Sequence, residues 1–215
     1  MGRTPTVGIV TVAVGDKYLG FLPQWLTAVS NLEKQPDQIT IISDVILEVD
    51  HYTSDVPLLL ICSNTQWDHH PQVLINEAIE STHTDWICKM DADDLIYPHA
   101  LNDWSPEADV IMFGITLNRD GQKQSLLPAP FTDEIILESE ENLIFSGSPF
   151  RKTLWEKNKF RDMIFEDWAF WIGCAKQKAR FIPTGRSDYY YNLGDHNISN
   201  GVNQQHWREI VRSMK

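Results

Sequence analysis

Trp86-Ile87-Cys88-Lys89-Met90-Asp91-Ala92-Asp93-Asp94 is an apolar run that ends abruptly in three carboxylates. A buried strand that empties into an acidic cluster is how an α/β protein presents oxygen ligands to a hard cation. Carboxylates this close repel one another and shift each other's pKa values unless something positive sits between them. Mg²⁺ or Mn²⁺ is the natural candidate, because both take oxygen ligands and bridge readily to phosphates. The plainer alternative is a solvated acidic turn, with Asp93 or Asp94 capping a helix from Leu95 onward.

The rest of the chain supplies the frame for this segment. Val7–Val12 is β-branched and almost wholly apolar, the pattern of a buried strand. Apolar residues at helical spacing (Leu22, Leu26, Val29, Leu32) predict a helix over Leu19–Leu32, with Pro23 tolerable in its first turn. Gln38–Asp44 and Leu58–Ser63 read as further strands, Pro71–Ser81 as a helix, and Trp86–Met90 as the fourth strand. A short helix is expected near Pro98–Trp104. This alternation of strand and helix indicates an α/β fold built on a parallel sheet with right-handed crossovers. In such sheets ligands gather beyond the carboxyl ends of the strands, where Thr11, Asp44, Ser63, Asn64, Asp91 and Asp93 all fall.

The second half has a different texture. Asp109–Leu117 is expected as a strand, Asn118–Gly121 as a turn, and Leu126–Phe131 as a loop broken by Pro128 and Pro130. Helices are expected over Ser139–Phe145, over Trp168–Lys178 and over Asn203–Ser213, with a segment at Trp155–Asn158 between the first two and a short strand at Ala179–Pro183.

At 215 residues the chain fits one domain with a substantial core. A net charge of −12, with its acidic residues dispersed, argues against broad affinity for nucleic acid or anionic lipid. Eight tryptophans, nine phenylalanines and six tyrosines suit a core plus a stacking surface for rings or sugars. Cys62, Cys88 and Cys174 are widely spaced in apolar surroundings, which predicts buried free thiols and a reducing, cytoplasmic setting. The longest apolar runs are far too short to span a membrane.

The order and spacing of four segments are similar to the GT-A glycosyltransferases, in particular the inverting family 2 group. Asn76-Glu77-Ala78-Ile79 lies on a helix before Asp91-Ala92-Asp93, which resembles that family's D-x-D metal motif. Phe165-Glu166-Asp167-Trp168-Ala169-Phe170-Trp171 resembles its E-D-W-x-x-W segment, and Tyr189-Tyr190-Tyr191 through His196-Asn197-Ile198-Ser199 its closing stretch. The resemblance implies a single GT-A domain over 1–215: a Rossmann-like, mostly parallel sheet flanked by helices. Residues 1–104 would form the nucleotide-sugar half and 105–215 the acceptor and catalytic half.

By that resemblance the chain is a glycosyltransferase using Mn²⁺ or Mg²⁺ and a nucleotide-diphosphate sugar, with a UDP-sugar as the default. Its acceptor is a hydroxyl on a glycan, a protein, a small molecule or a modified nucleic-acid base. Asp93 would be the metal ligand, Asp91 would reach the ribose or a metal-bound water, and His196 would be a further ligand. Asp167 would be the general base with Glu166 beside it. Thr11, Asp44, Asn64 and Gly147 would lie along the donor. Glu166 and Asp167 also suit a plain helix N-terminus, where acidic residues complement the dipole.

The departures from the family pattern lie on the donor side. Asp44 is followed by Val45-Ile46-Leu47 where Asp-x-Ser is usual, Asp68-His69-His70-Pro71 replaces a Gly and Arg, and Asn192-Leu193 stands where an Arg is common. Two other classes remain open: a non-catalytic GT-A-like module that binds carbohydrate or a partner, and a metal-dependent phosphoesterase suggested by Asp68-His69-His70 with Asp91-Ala92-Asp93.

Overall fold

A computed structural model describes residues 3–48, 52, 54–65, 72–119, 121–193 and 204–215. The first half contains β1 (Val7–Val12), α1 (Gly15–Leu19), α2 (Leu22–Ser30), β2 (Gln38–Ser43), β3 (Leu58–Cys62), α3 (Gln72–Glu80), β4 (Trp86–Lys89) and β5 (Leu95–Ile96). The second half contains β6 (Val110–Arg119), β7 (Gln122–Leu126), α4 (Asp133–Glu138), β8 (Phe150–Arg151), α5 (Lys152–Lys157), α6 (Glu166–Lys176), β9 (Phe181–Leu193) and α7 (Gln204–Arg212).

The strands form one sheet in the order β3-β2-β1-β4-β8-β6-β9-β5, with β7 hydrogen-bonded to the other side of β6. β3, β2, β1 and β4 run parallel, as the expected crossovers require, while the short β8 joins β4 to β6 antiparallel to both. Alternate residues of the parallel strands face opposite layers. Ile9, Ile41 and Cys88 pack with α2 through Trp25, Leu26 and Val29. Val10, Ile42 and Ile87 face α3, α5 and α6 through Ile75, Trp155 and Trp171. α6 buries nearly its whole length, because α7 covers its outer side through Val211 and Trp207.

Asn76 is a structural residue of α3. Its amide oxygen accepts from Trp155 Nε1 at 2.8 Å and Phe160 N at 3.1 Å, while its Nδ2 donates to Phe160 O at 2.8 Å. The amide therefore ties α3 to α5 and leaves little capacity for a ligand.

Four local expectations are corrected. The helix expected over Leu19–Leu32 is shorter, Leu22–Ser30, and a separate short helix, α1, ends at Leu19. No helix forms over Pro98–Trp104: Asp103 is left-handed (φ 55°), and Arg186 Nη2 takes the His99 and Asn102 carbonyls at 2.9 and 2.8 Å. The helix expected over Ser139–Phe145 lies earlier, as α4. Thr132 caps it by accepting the Ile135 N–H, and Asp133 and Glu134 fill its first turn. Cys62 is exposed, whereas Cys88 and Cys174 are buried free thiols.

Candidate active site

β1 and β4 lie side by side and end together, with Val10 paired to Lys89. Beyond them opens a cleft of about 250 Å³ lined by Thr11, Lys89, Asp91, Asp93, Glu166 and Asp167, among others. Its walls come from the ends of two parallel strands, from α1 and α3 through Tyr18 and Gln72, and from the start of α6. The location matches the rule for open α/β sheets.

The three carboxylates after β4 separate into two kinds. Asp91 and Asp93 line the cleft, whereas Asp94 does not. Asp94 is buried and accepts the Asn192 N–H from β9 at 2.9 Å, and Asn192 Nδ2 donates to Asp93 O at 2.8 Å. Burial, with Asp91 and Asp93 nearby, pushes the Asp94 carboxyl well above the usual range. The Asp91 N–H is given to the Tyr189 hydroxyl at 3.3 Å. β9 thus grips the backbone of the acidic turn, from which Asp91 and Asp93 line the cleft. No helix follows the turn, since Leu95–Ile96 is the strand β5, and the helix-capping alternative for Asp93 and Asp94 falls with it.

Lys89 is the cation of the site. It is 5% exposed, and its Nζ sits 3.2 Å from Asp91 Oδ1 and 3.1 Å from Glu166 Oε1. Burial alone would push its ammonium down, but Asp91, Glu166 and Asp167 outweigh that and hold it above its ordinary value. Four carboxylates and one ammonium line the cleft among the described residues, an excess of negative charge.

Glu166 and Asp167 open α6, which starts two residues earlier than its apolar spacing indicates. The residue before them, Phe165, is left-handed (φ 62°, ψ 37°) and gives no side-chain cap. A bulky residue there costs about 1 kcal/mol or more, and such strain persists where the surroundings enforce it. Arg208 of α7 lies 5.5 Å over the Phe165 ring and helps to hold it. Burial, then Glu166, pushes Asp167 up to about 7, against the opposing pull of Lys89 and the Trp168 N–H. Asn142 Nδ2 donates to Asp167 Oδ2 at 2.8 Å.

Two residues of the cleft wall also carry buried oxygens with no hydrogen-bond partner among the described residues. They are Thr11 Oγ1, on a residue 1% exposed, and Gln72 Oε1, on a residue 3% exposed whose Nε2 is fixed on Met163 O at 3.1 Å. Buried polar atoms left this way in a cleft are suited to a polar ligand. Tyr18 and Tyr191 complete the wall. Burial and then Asp93 and Asp91 push the Tyr18 hydroxyl up to about 12, so it stays a neutral donor.

The structure therefore brings together Thr11, Asp91, Asp93, Glu166 and Asp167. Gly147 lies behind the wall, packed on Phe145 and Tyr189, and its neighbour Ser146 does the lining. Asp44 sits at the end of β2, exposed, with Oδ1 accepting the Gly15 N–H at 3.3 Å, and it does not line the cleft. Asn64 is exposed and does not line it either. His196 and Asp68-His69-His70 fall outside the described residues. Arg151 and Arg186 are structural, paired with Asp109 and Asp188. Gln72, Tyr18 and Asn142 carry no sequence signal of a site, whereas Lys89, Arg151 and Arg186 are each available in the sequence to neutralise phosphate, and of these three Lys89 lines the cleft.

Hard carboxylate oxygens and excess negative charge fit a divalent cation. Among the described residues, no group of three or more His, Cys, Asp or Glu is placed to hold a metal by itself. Asp91 and Asp93 are the residues that would hold such a cation, since Mg²⁺ is commonly bound through one or two carboxylates together with phosphates.

No family model and no curated protein matches the sequence. Solved structures do. S. aureus TarS 1–349 in complex with UDP-GlcNAc superposes with a TM-score of 0.77 at 16% identity, over 97% of this chain and 65% of that one. Its complex with UDP gives 0.70 at 15% identity, over 96% and 69%. The mannosyltransferase PcManGT from Pyrobaculum calidifontis, in complex with GDP-Man and Mn²⁺, gives 0.64 at 14% identity, over 91% and 59%. The chain thus spans 65 to 69% of TarS 1–349 in these two complexes and 59% of PcManGT. At these identities the likeness is one of architecture, and the architecture is that of the GT-A glycosyltransferases.

Proposed function

We propose that this chain is an inverting glycosyltransferase that moves a sugar from a nucleotide-diphosphate sugar to a hydroxyl acceptor with the help of Mn²⁺ or Mg²⁺. The observation that carries this reading is the cleft itself. Two carboxylates at the end of β4 face two at the start of α6 across one buried lysine, within a GT-A sheet. A diphosphate brings more negative charge into a site already acidic, and a divalent cation makes that binding favourable.

Asp93 and Asp91 would hold the cation, with His196 a further ligand. A cation bound there would supply Lewis-acid stabilisation of the charge developing on the leaving diphosphate. Thr11 Oγ1 and Gln72 Oε1 offer polar contacts to the donor. The cleft volume is below the ~300–1,000 Å³ common for drug-sized ligands, which suits the diphosphate and sugar; the nucleoside would lie outside it, where Asp44 and Asn64 follow the carboxyl ends of β2 and β3. On this reading residues 1–104 bind most of the donor, and residues 105–215 supply the base and the acceptor surface.

Asp167 takes the acceptor proton as the acceptor oxygen attacks the anomeric carbon. Its value of about 7 is suited to a base working near neutral pH. Glu166, ion-paired with Lys89, holds the pair in place. Attack from the face opposite the leaving group inverts the anomeric centre. The UDP complexes of TarS make a UDP-sugar the first donor to try. The free thiols suit the cytoplasm, and no helix among the described residues is long and apolar enough to cross a membrane.

The test is UDP release from UDP-GlcNAc with Mn²⁺, with water and simple glycans as acceptors, while NMR follows the first-formed anomer. Release of the inverted anomer supports the proposal, and a retained anomer contradicts it. Nucleotide binding with no turnover on any donor would favour the non-catalytic module.

A further inference from the structure

A side chain from outside the cleft wall donates a hydrogen bond to Asp167. Asn142 Nδ2 reaches Asp167 Oδ2 at 2.8 Å, while Asn142 Oδ1 accepts the Ile144 N–H at 3.3 Å. The second bond decides the first. With the amide oxygen committed to Ile144, the NH₂ group must face the carboxylate; a flipped amide would oppose two oxygens and lose both bonds.

The loop that carries Asn142 is fastened at both ends. Arg212 of α7 donates to Glu140 O through Nε at 3.2 Å and Nη2 at 2.9 Å, and Lys215 Nζ donates to Ser139 O. On the other side Ile144 is buried in the core. A residue that is itself exposed is thus held at a fixed place beside Asp167. The other charged and titratable groups facing Asp167 are Glu166 on its own helix, Lys89 of β4, Asp91 of the loop after it, and Tyr191 of β9.

We propose that Asn142 is a positioning residue for Asp167: by occupying Oδ2 it fixes the carboxylate's rotation and leaves Oδ1 to receive the acceptor proton. This rests on Asp167 being the base. In the step, the acceptor O–H proton passes to Oδ1 and the acceptor oxygen bonds to the anomeric carbon. The bond from that carbon to the diphosphate oxygen breaks, and its electron pair leaves with the nucleoside diphosphate. A donated N–H also favours the ionised carboxylate and opposes the effect of burial.

The experiment is a ¹³C-carboxyl NMR titration of Asn142→Ala and of the isosteric Asn142→Asp, with the Asp167 signal assigned by its loss in Asp167→Asn. Both variants should titrate at least about half a pH unit above the parent, the size expected for losing a bond to a charged group at an exposed site. UDP release from UDP-GlcNAc with Mn²⁺ should fall about tenfold in kcat, with KM little changed, as for an interaction made in the transition state. An unmoved Asp167 titration with full kcat in both variants overturns the proposal. Full turnover by Asp167→Asn would instead overturn the base assignment, whatever the Asn142 variants show.

Discussion

Lys89 Nζ lies 3.1 Å from Glu166 Oε1, so the last residue of β4 and the first residue of α6 share an ion pair. The same ammonium is 3.2 Å from Asp91 Oδ1. One buried cation therefore sets the distance between the acidic turn after β4 and the acidic start of α6. Those are the two places where the proposed reaction needs charge of fixed position.

Replacing this cation with an apolar residue of similar length removes it and leaves the carboxylates facing each other. Breaking a buried pair in this way typically costs about 3–5 kcal/mol. Because the Asp91 side chain is 42% exposed, the lower end of that range is expected for Lys89→Met in urea unfolding. A loss below about 0.5 kcal/mol would show that water already screens the pair.

Gly147 answers a different question, whether the wall behind Ser146 is close-packed. A Cβ at this position would meet the Phe145 and Tyr189 rings at 2.8 Å, and Tyr189 is buried and accepts the Asp91 N–H. Gly147→Ala should cost about 1–3 kcal/mol by overpacking. It should also weaken nucleotide binding, because the displaced Tyr189 carries the acidic turn with it. A variant of parental stability in thermal melts would mean that the rings move aside freely.

Burial and Glu166 push Asp167 up to about 7, well above the ordinary 3.8 that the unfolded chain restores. The folded protein therefore holds this proton more tightly. The stability that it brings is fully present below about 3.8 and is lost as pH rises through about 7. The Tm of the metal-free protein should fall as pH is raised from about 5 to about 8, and Asp167→Asn should flatten that slope. Catalysis has the opposite sense, since the base must be ionised: turnover should rise through about pH 7 and drop by ~10²-fold or more in Asp167→Asn, with donor binding kept. Parallel melting profiles for variant and parent would contradict the raised carboxyl, and parental turnover in the variant would place the base elsewhere.

The parallel half of the fold was legible because its signal is local. Val7–Val12, Gln38–Ser43 and Trp86–Lys89 are apolar runs of strand length, and Gln72–Glu80 keeps helical spacing. Expectation failed where side chains divert the backbone. Over Ser139–Phe145, Ser139 Oγ accepts the Glu141 N–H and Asn142 Oδ1 the Ile144 N–H, turns that compete with a helix. Over Pro98–Trp104 the competitor is Arg186, more than 80 residues away, which no window of sequence contains. β7 escaped notice because Gln122–Leu126 is exposed throughout and shows no apolar alternation.

The cleft shows the same division. Asp91 and Asp93 stood out at the end of an apolar strand, whereas Glu166 and Asp167 followed from the resemblance of Phe165–Trp171 to the E-D-W-x-x-W segment. Lys89 looked like any strand lysine, since only the approach of α6 to β4 turns it into a buried cation. Asp94 was indistinguishable from its neighbours until β9 took its carboxylate. Asn142 and Gln72 gave no sequence signal at all, because their roles depend on where distant backbone lies.

The most direct test of the central claim is thermal stability against UDP, GDP, CMP and dTDP, each with Mn²⁺ and with a chelator, for the parent and for Asp93→Ala. A ligand at a hundred times its Kd stabilises a fold by about 2.7 kcal/mol, a readily visible shift. A cleft that binds a nucleotide diphosphate through a cation on Asp93 predicts a response to one diphosphate that needs Mn²⁺ and disappears in Asp93→Ala. An equal response in chelator, or an undiminished one in Asp93→Ala, would contradict it.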